Sequence, residues 1–173
     1  MVKDVHVSTP VAESLERIVE SCFPDFERPQ DPSLSILIAE DAPSIAKMTT
    51  MMLRRRNHLT EVAENGQIVL DLLYPEEENQ LCRFDVVLMD LQMPVMDGLE
   101  ATRRIRAHER EMGSKNKNYH HHQIVIGVSA NSDHETMEEA LKAGIDDFLP
   151  KPFSVDAFLT AVKNVQEKLS QQY

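Results

Sequence analysis

Four short stretches of this chain are apolar without interruption: Ile36-Leu37-Ile38-Ala39, Val86-Val87-Leu88-Met89, Ile124-Val125-Ile126-Gly127-Val128 and Phe148-Leu149. A strand with one wet face alternates apolar and polar residues, whereas a strand covered on both faces is apolar throughout. Strands are therefore predicted near 35–39, 59–63, 84–89, 123–129 and 145–149. Between and after them the apolar spacing changes to about 3.6 residues, and helices are predicted near 43–56, 65–73, 98–112, 134–143 and 154–170. The last of these carries the stripe Val155, Phe158, Leu159, Val162, Val165 and Leu169. Strict strand–helix alternation implies right-handed crossovers, so the expected fold class is α/β with a doubly wound parallel sheet. Asp41 with Pro43 reads as an N-cap and early-turn proline, Asp97 before Gly98 as another N-cap, and Ala143-Gly144 as a glycine helix stop.

The pattern divides the chain into residues 1–32 and 33–173. In the first part, Val11, Leu15, Ile18, Val19 and Cys22 suggest a short amphipathic helix. Pro24, Pro29 and Pro32 with interspersed acids then read as a linker. Two connections look enlarged: Tyr74 to Arg83, with a run of three glutamates, and the polar stretch Gly113 to His122. Three adjacent histidines, His120 to His122, cannot all converge on one ion from a regular backbone, so the run is read as compositional. The insertion is expected on the surface at the far side of the sheet from the site.

Composition narrows the function. Lys plus Arg number 18 against 29 Asp plus Glu, a formal net charge of −11. Non-specific nucleic-acid or anionic-membrane binding needs a basic surface and is not expected. No apolar run approaches the ~20 residues of a membrane helix, and no signal-peptide core is visible, so a cytoplasmic setting is expected. Cys22 and Cys82 lack motif spacing and read as reduced thiols.

The chemistry lies at the ends of the apolar runs. The first ends in Glu40-Asp41, the second in Asp90, the third in Ser129, and the fourth runs into Lys151-Pro152. In an open parallel sheet, ligands bind beyond the carboxyl ends of strands where the strand order reverses. In the flavodoxin-like order 2-1-3-4-5 that point lies between the first and third strands, which end in these acids. Clustered carboxylates repel unless a cation neutralises them. An all-oxygen set suits Mg²⁺, with Asp90 and Asp41 as direct ligands. Asp90 follows a wholly apolar run and needs a partner; Lys151 and a cation are the candidates.

These residues carry a family resemblance. The blocks ILIAED, DVVLMDLQMPVMDGLEATRRIR, VSA and LKAGIDDFLPKPF, in that order across roughly residues 34–170, resemble a two-component response-regulator receiver domain, most like the receiver of a hybrid histidine kinase. The resemblance implies a flavodoxin-like (βα)5 fold, with Glu40 and Asp41 as the acidic pair holding Mg²⁺ and Asp90 as phosphoacceptor. The backbone carbonyl of Gln92 would be a further metal ligand. Ser129 would be the switch hydroxyl, Lys151 the site lysine with Pro152 in a cis peptide, and Phe148 the switch aromatic. Such a chain takes a phosphoryl group from a histidine kinase or histidine-phosphotransfer protein. It catalyses its own phosphorylation and dephosphorylation without being a turnover enzyme, and then alters the surface formed by the fourth helix, fifth strand and fifth helix. Homodimerisation on phosphorylation stays open. The 39 residues from Asp90 to Ser129 are more than usual because of the 113–122 insertion.

The alternative is a pseudo-receiver that only binds proteins or dimerises. It predicts loss of a site residue, and every position is filled. A Mg²⁺-dependent phosphohydrolase of the haloacid-dehalogenase type needs an acid two residues after its nucleophile, and position 92 is glutamine.

Overall fold

The computed structural model describes residues 32–75, 84–117, 119, 121–131 and 133–171. The chain divides into Met1–Pro32 and Ser33–Tyr173. The second unit contains, in chain order, β1 (Ser35–Ala39), α1 (Pro43–Arg55), β2 (Leu59–Ala63), α2 (Gly66–Leu73), β3 (Val86–Asp90), α3 (Gly98–Lys115), β4 (Ile124–Ser129), α4 (His134–Ala143), β5 (Asp147–Pro150) and α5 (Val155–Ser170). The five strands pair in parallel in the order β2-β1-β3-β4-β5. This is the flavodoxin-like doubly wound sheet that the unbroken apolar runs predict.

Period-two strand geometry sorts the runs onto two faces. Ile36, Ile38, Val86, Leu88, Ile124 and Ile126 pack with Leu53 of α1 and with Phe158, Val162 and Val165 of α5. Leu37, Ala39, Val87, Met89 and Val125 face Val69 and Leu73 of α2, Ala101 and Ile105 of α3, and Ala140 of α4. Register then fixes where the chemistry falls. Ala39 pairs with Met89, Asp90 with Val128, and Ser129 with Pro150. Glu40, Asp90, Ser129 and Lys151 thus leave the sheet at one edge.

Several boundaries differ from expectation. Asp41 does not cap α1; the N-cap is Ala42, with no side-chain hydrogen bond, and the early-turn proline Pro43 stands as expected. Asp97 does cap α3, accepting from the Glu100 N–H at 2.7 Å, and Gly144 ends α4 with φ +102°. Helix α3 runs past residue 112 to Lys115; in its last turn Lys115 pairs with Glu111 at 2.6 Å and the Ser114 hydroxyl donates to the Arg110 carbonyl at 2.8 Å. The insertion thus begins inside the last turn of α3, and its described residues 121 and 122 lead directly into β4, whose start lies at the end of the sheet opposite Asp90. The amphipathic helix and linker expected before Ser33, both cysteines, the glutamate run and His120 lie outside the described residues.

A polar clamp closes that opposite edge. Arg106 of α3 donates to the carbonyls of Gly144 and Gln123, each at 2.9 Å, to Glu109 at 2.9 Å and to Asp146 at 2.8 Å. Asp146 also accepts from the Val125 N–H at 2.8 Å and meets the His122 Nε2 at 2.7 Å. The clamp engages His122 of the insertion as a hydrogen-bond partner.

Candidate functional site

The loop after β1 brings in the first acids. The Glu40 N–H still donates to Ala63 of β2 at 2.9 Å, so Glu40 is held as if in the strand. Its side chain is only 5% exposed. One carboxylate oxygen accepts from the Ala42 N–H at 3.2 Å, the other from Lys151 Nζ at 2.5 Å. Asp41, freed from capping, is exposed and turns its carboxylate toward the same place. Asp90 ends β3 and is 7% exposed. Its Oδ1 accepts from the Gln92 N–H at 3.0 Å and its Oδ2 from Lys151 Nζ at 2.5 Å.

Glu40, Asp41 and Asp90 each offer a carboxylate oxygen, all within 4.8 Å of one another. Lys151 bridges the two buried ones. Its own N–H donates to the Ser129 carbonyl at 2.9 Å, and the Lys151–Pro152 peptide is cis. Burial alone would lower the Lys151 pKa, but hydrogen bonds and charge from Asp90 and Glu40 outweigh it and hold the ammonium above its ordinary value. Three carboxylates against one ammonium leave the cluster two charges negative. An exposed acid beside two buried ones, all oxygen donors, is the set that fits Mg²⁺ with retained waters.

Ser129 is buried beside Asp90 in the next strand, and its Oγ accepts from the Asn131 N–H at 3.1 Å. It does not cap α4, whose cap is Asp133. Phe148, partly buried in β5, packs over Gly127 and against the core. Glu40, Asp41, Asp90 and Lys151 therefore converge, Ser129 and Phe148 line the adjoining strands, and Gln92 is tied to Asp90 through its N–H.

Sequence reasoning missed the construction of the loop between β3 and α3. Gly98 closes it: the Gly98 N–H donates to the Leu91 carbonyl at 3.1 Å. A Cβ on Gly98 would lie 2.1 Å from the Asp90 carbonyl oxygen, so only glycine lets α3 start against the backbone of Asp90. The Asp97-Gly98 pair signals a turn but not this contact. Within the loop, Met93 and Met96 are buried while Val95 between them is 87% exposed. The Met96 N–H donates to the Pro94 carbonyl at 2.8 Å and Val95 has φ +68°. That i to i+2 bond with positive φ marks the strained form of γ-turn, unusual for a β-branched residue. No sequence signal announces it. A cleft of about 260 Å³ opens beside the acids, lined by Glu40, Asp41, Pro43, Ala46, Lys47, Thr50, Val62 and Glu64.

Comparison with known proteins identifies the family and the fold. The model of the response regulator receiver domain matches residues 36–163. Hybrid signal transduction histidine kinase I of Dictyostelium discoideum is 34% identical over 119 residues, covering 69% of this chain and 6% of that protein. Histidine kinase 3 of Arabidopsis thaliana is 36% identical over 132 residues, covering 70% of this chain and 12% of that protein. The chain thus spans a small fraction of these kinases. Among solved structures, the receiver domain of Ssk1 from Saccharomyces cerevisiae, crystallised with the histidine phosphotransfer protein Ypd1, superimposes with TM-score 0.64 at 28% identity, covering 76% of this chain and 88% of that one. The receiver of the sensor kinase PA1611 from Pseudomonas aeruginosa, with magnesium in its active-site cleft, gives TM-score 0.58 at 30% identity, covering 77% and 97%. Fold and sequence agree: this chain belongs to the response regulator receiver domain family of two-component phosphorelays.

Proposed function

We propose that the domain accepts a phosphoryl group on Asp90 from a phosphohistidine of a histidine kinase or histidine-phosphotransfer protein. The observation that carries this reading is the Lys151 ammonium bridging Asp90 and Glu40 at 2.5 Å each, with the Asp41 carboxylate alongside. In the reaction, an Asp90 carboxylate oxygen attacks phosphorus in line. An O–P bond forms as the P–N bond to imidazole breaks. The imidazole nitrogen keeps the electron pair and takes up a proton, and the product is an acyl phosphate. Catalysis of this kind is positioning and electrostatics. Lys151 stands ready to shift its bond from the carboxylate to a phosphoryl oxygen. The Gln92 N–H and the Ser129 hydroxyl are donors beside it. Mg²⁺, held by Asp41, Asp90 and the Gln92 carbonyl with Glu40 acting through water, would offset the charge of the transferring group.

A contact from Ser129 to the phosphoryl group would draw the loop after β4 inward. Phe148 would turn into the space released beside Gly127, shifting the surface of α4, β5 and α5. The domain serves as a relay component rather than a turnover enzyme, with residues 1–32 as an appended segment. The test is incubation with Mg²⁺ and acetyl phosphate or beryllofluoride, read by intact mass and NMR, for wild type and Asp90→Ala. A Mg²⁺-dependent adduct absent from Asp90→Ala, with shifts reaching Ser129 and Phe148, is expected. A folded protein giving neither adduct nor shift would refute the reading and leave a protein-binding module.

A further inference from the structure

We infer that His122 and Glu109 form a Zn²⁺ site at the end of the sheet opposite Asp90, where the insertion meets α3. The two donors are spaced for one ion. His122 Nδ1 lies 3.7 Å from Glu109 Oε2. Two donors at ordinary zinc bond lengths, about 2.0–2.2 Å each, stand roughly 3.3–3.5 Å apart in a tetrahedral shell. The observed gap is slightly wider and still shorter than two such bonds end to end. Both ligands are also held from behind. Asp146 Oδ1 is a carboxylate oxygen and can only accept, so at their 2.7 Å contact the His122 Nε2 carries the proton. The neutral ring then keeps its lone pair on Nδ1, the nitrogen beside Glu109. A carboxylate behind a ligating imidazole is the usual outer-shell support of a zinc histidine. Glu109 is fixed in turn: Oε1 accepts from the Gln123 N–H at 2.7 Å and from Arg106 at 2.9 Å, and Oε2 from Arg106 at 3.0 Å. An oxygen with two lone pairs can serve both Arg106 and an ion.

Charge favours a cation here. Glu109 and Asp146 are largely buried and share Arg106. Two carboxylates against one guanidinium leave the clamp one charge negative, and buried acids need a counter-charge. His122 keeps 28% of its side chain exposed, so an ion reaches Nδ1 from solvent and water completes its shell. One imidazole nitrogen with one carboxylate oxygen suits Zn²⁺ better than Mg²⁺, which prefers oxygen alone. The site draws on His122 and not on the histidine run as a whole: the exposed His121 meets Tyr119 edge-on, with ring centroids 6.3 Å apart. The bound ion fastens the insertion to α3 and tightens the Arg106 clamp.

The test uses the full chain, treated with EDTA and desalted, then titrated with zinc chloride and followed by NMR. Site-resolved shifts separate this site from the acids around Asp90. Expected are saturable shifts of the Gln123 and Val125 amides and of the His122 ring. His122→Gln and Glu109→Gln should each weaken that binding by roughly tenfold or more, since even outer-shell losses cost about that much. His121→Gln should leave it unchanged. Glu109→Gln keeps an oxygen to accept from the Gln123 N–H; should it fail to fold, the contrast between His122→Gln and His121→Gln decides alone. No saturable shift at Gln123 and Val125, an equal loss in His121→Gln and His122→Gln, or unchanged binding in a folded Glu109→Gln would each overturn the site.

Discussion

Replacing Lys151 by methionine removes the one ammonium that Glu40 and Asp90 share. Both carboxylates stay buried, at 5% and 7% exposure, with oxygens no more than 4.8 Å apart. Their repulsion at that distance is about 3.5 kcal/mol at an effective dielectric of 20. Losing one partner of a buried ion pair typically costs about 3–5 kcal/mol, which agrees. The exposed Asp41 adds a smaller, solvent-screened share. In EDTA at neutral pH, Lys151→Met should therefore unfold in urea with about 3 kcal/mol less stability than wild type and an unchanged m-value. Mg²⁺ restores a counter-charge, so millimolar Mg²⁺ should stabilise Lys151→Met more than it stabilises wild type. A variant as stable as wild type in EDTA, or an equal Mg²⁺ increment in both proteins, would refute the electrostatic reasoning, because it would mean the carboxylates need no cation.

The same lysine predicts an alkaline limit. Its folded pKa is raised above the ordinary 10.5, so its contribution is fully present below that value and is lost as pH rises through the higher folded value. The wild-type advantage over Lys151→Met in chemical denaturation should therefore persist to about pH 10 and decline above it. Gly98→Ala forces a Cβ into the Asp90 carbonyl, 2.1 Å away, and should cost about 2–3 kcal/mol in thermal unfolding while depressing acetyl-phosphate labelling. Arg106→Ala strands the largely buried carboxylates of Glu109 and Asp146; a loss of about 3 kcal/mol by urea titration is expected, with the Asp90 adduct still forming in the folded fraction.

The parts of the fold that the sequence made legible are those governed by local pattern. Unbroken apolar runs located four of the five strands, of which β1, β3 and β4 are buried almost throughout, and strand ends located the acids, hydroxyl and amine. Asp41 misled as a cap because capping and metal-binding carboxylates look alike before a helix; in space it joins Glu40 and Asp90 instead. The length of α3 was underestimated at Gly113, because a single glycine costs a helix only about 1 kcal/mol and need not end it. The Arg106 clamp draws on residues 106, 109, 122, 123, 144 and 146 from α3, the insertion and two loops, and no local spacing encodes such a meeting. Val95 runs against propensity: a β-branched residue at positive φ is dictated by the closed loop around it.

The clamp has a mechanical consequence. Arg106 and Asp146 tie α3, the end of α4 and the starts of β4 and β5 together at the edge of the sheet farthest from Asp90. If Ser129 switches as proposed, these bonds oppose a sliding of β4 and β5 as rigid rods, because they hold the starting ends. The motion would instead appear as a swing of their finishing ends and of the loops beyond them. On that reading the fold would act as a lever pivoted at the clamp, with its travel largest at the strand ends beside Asp90.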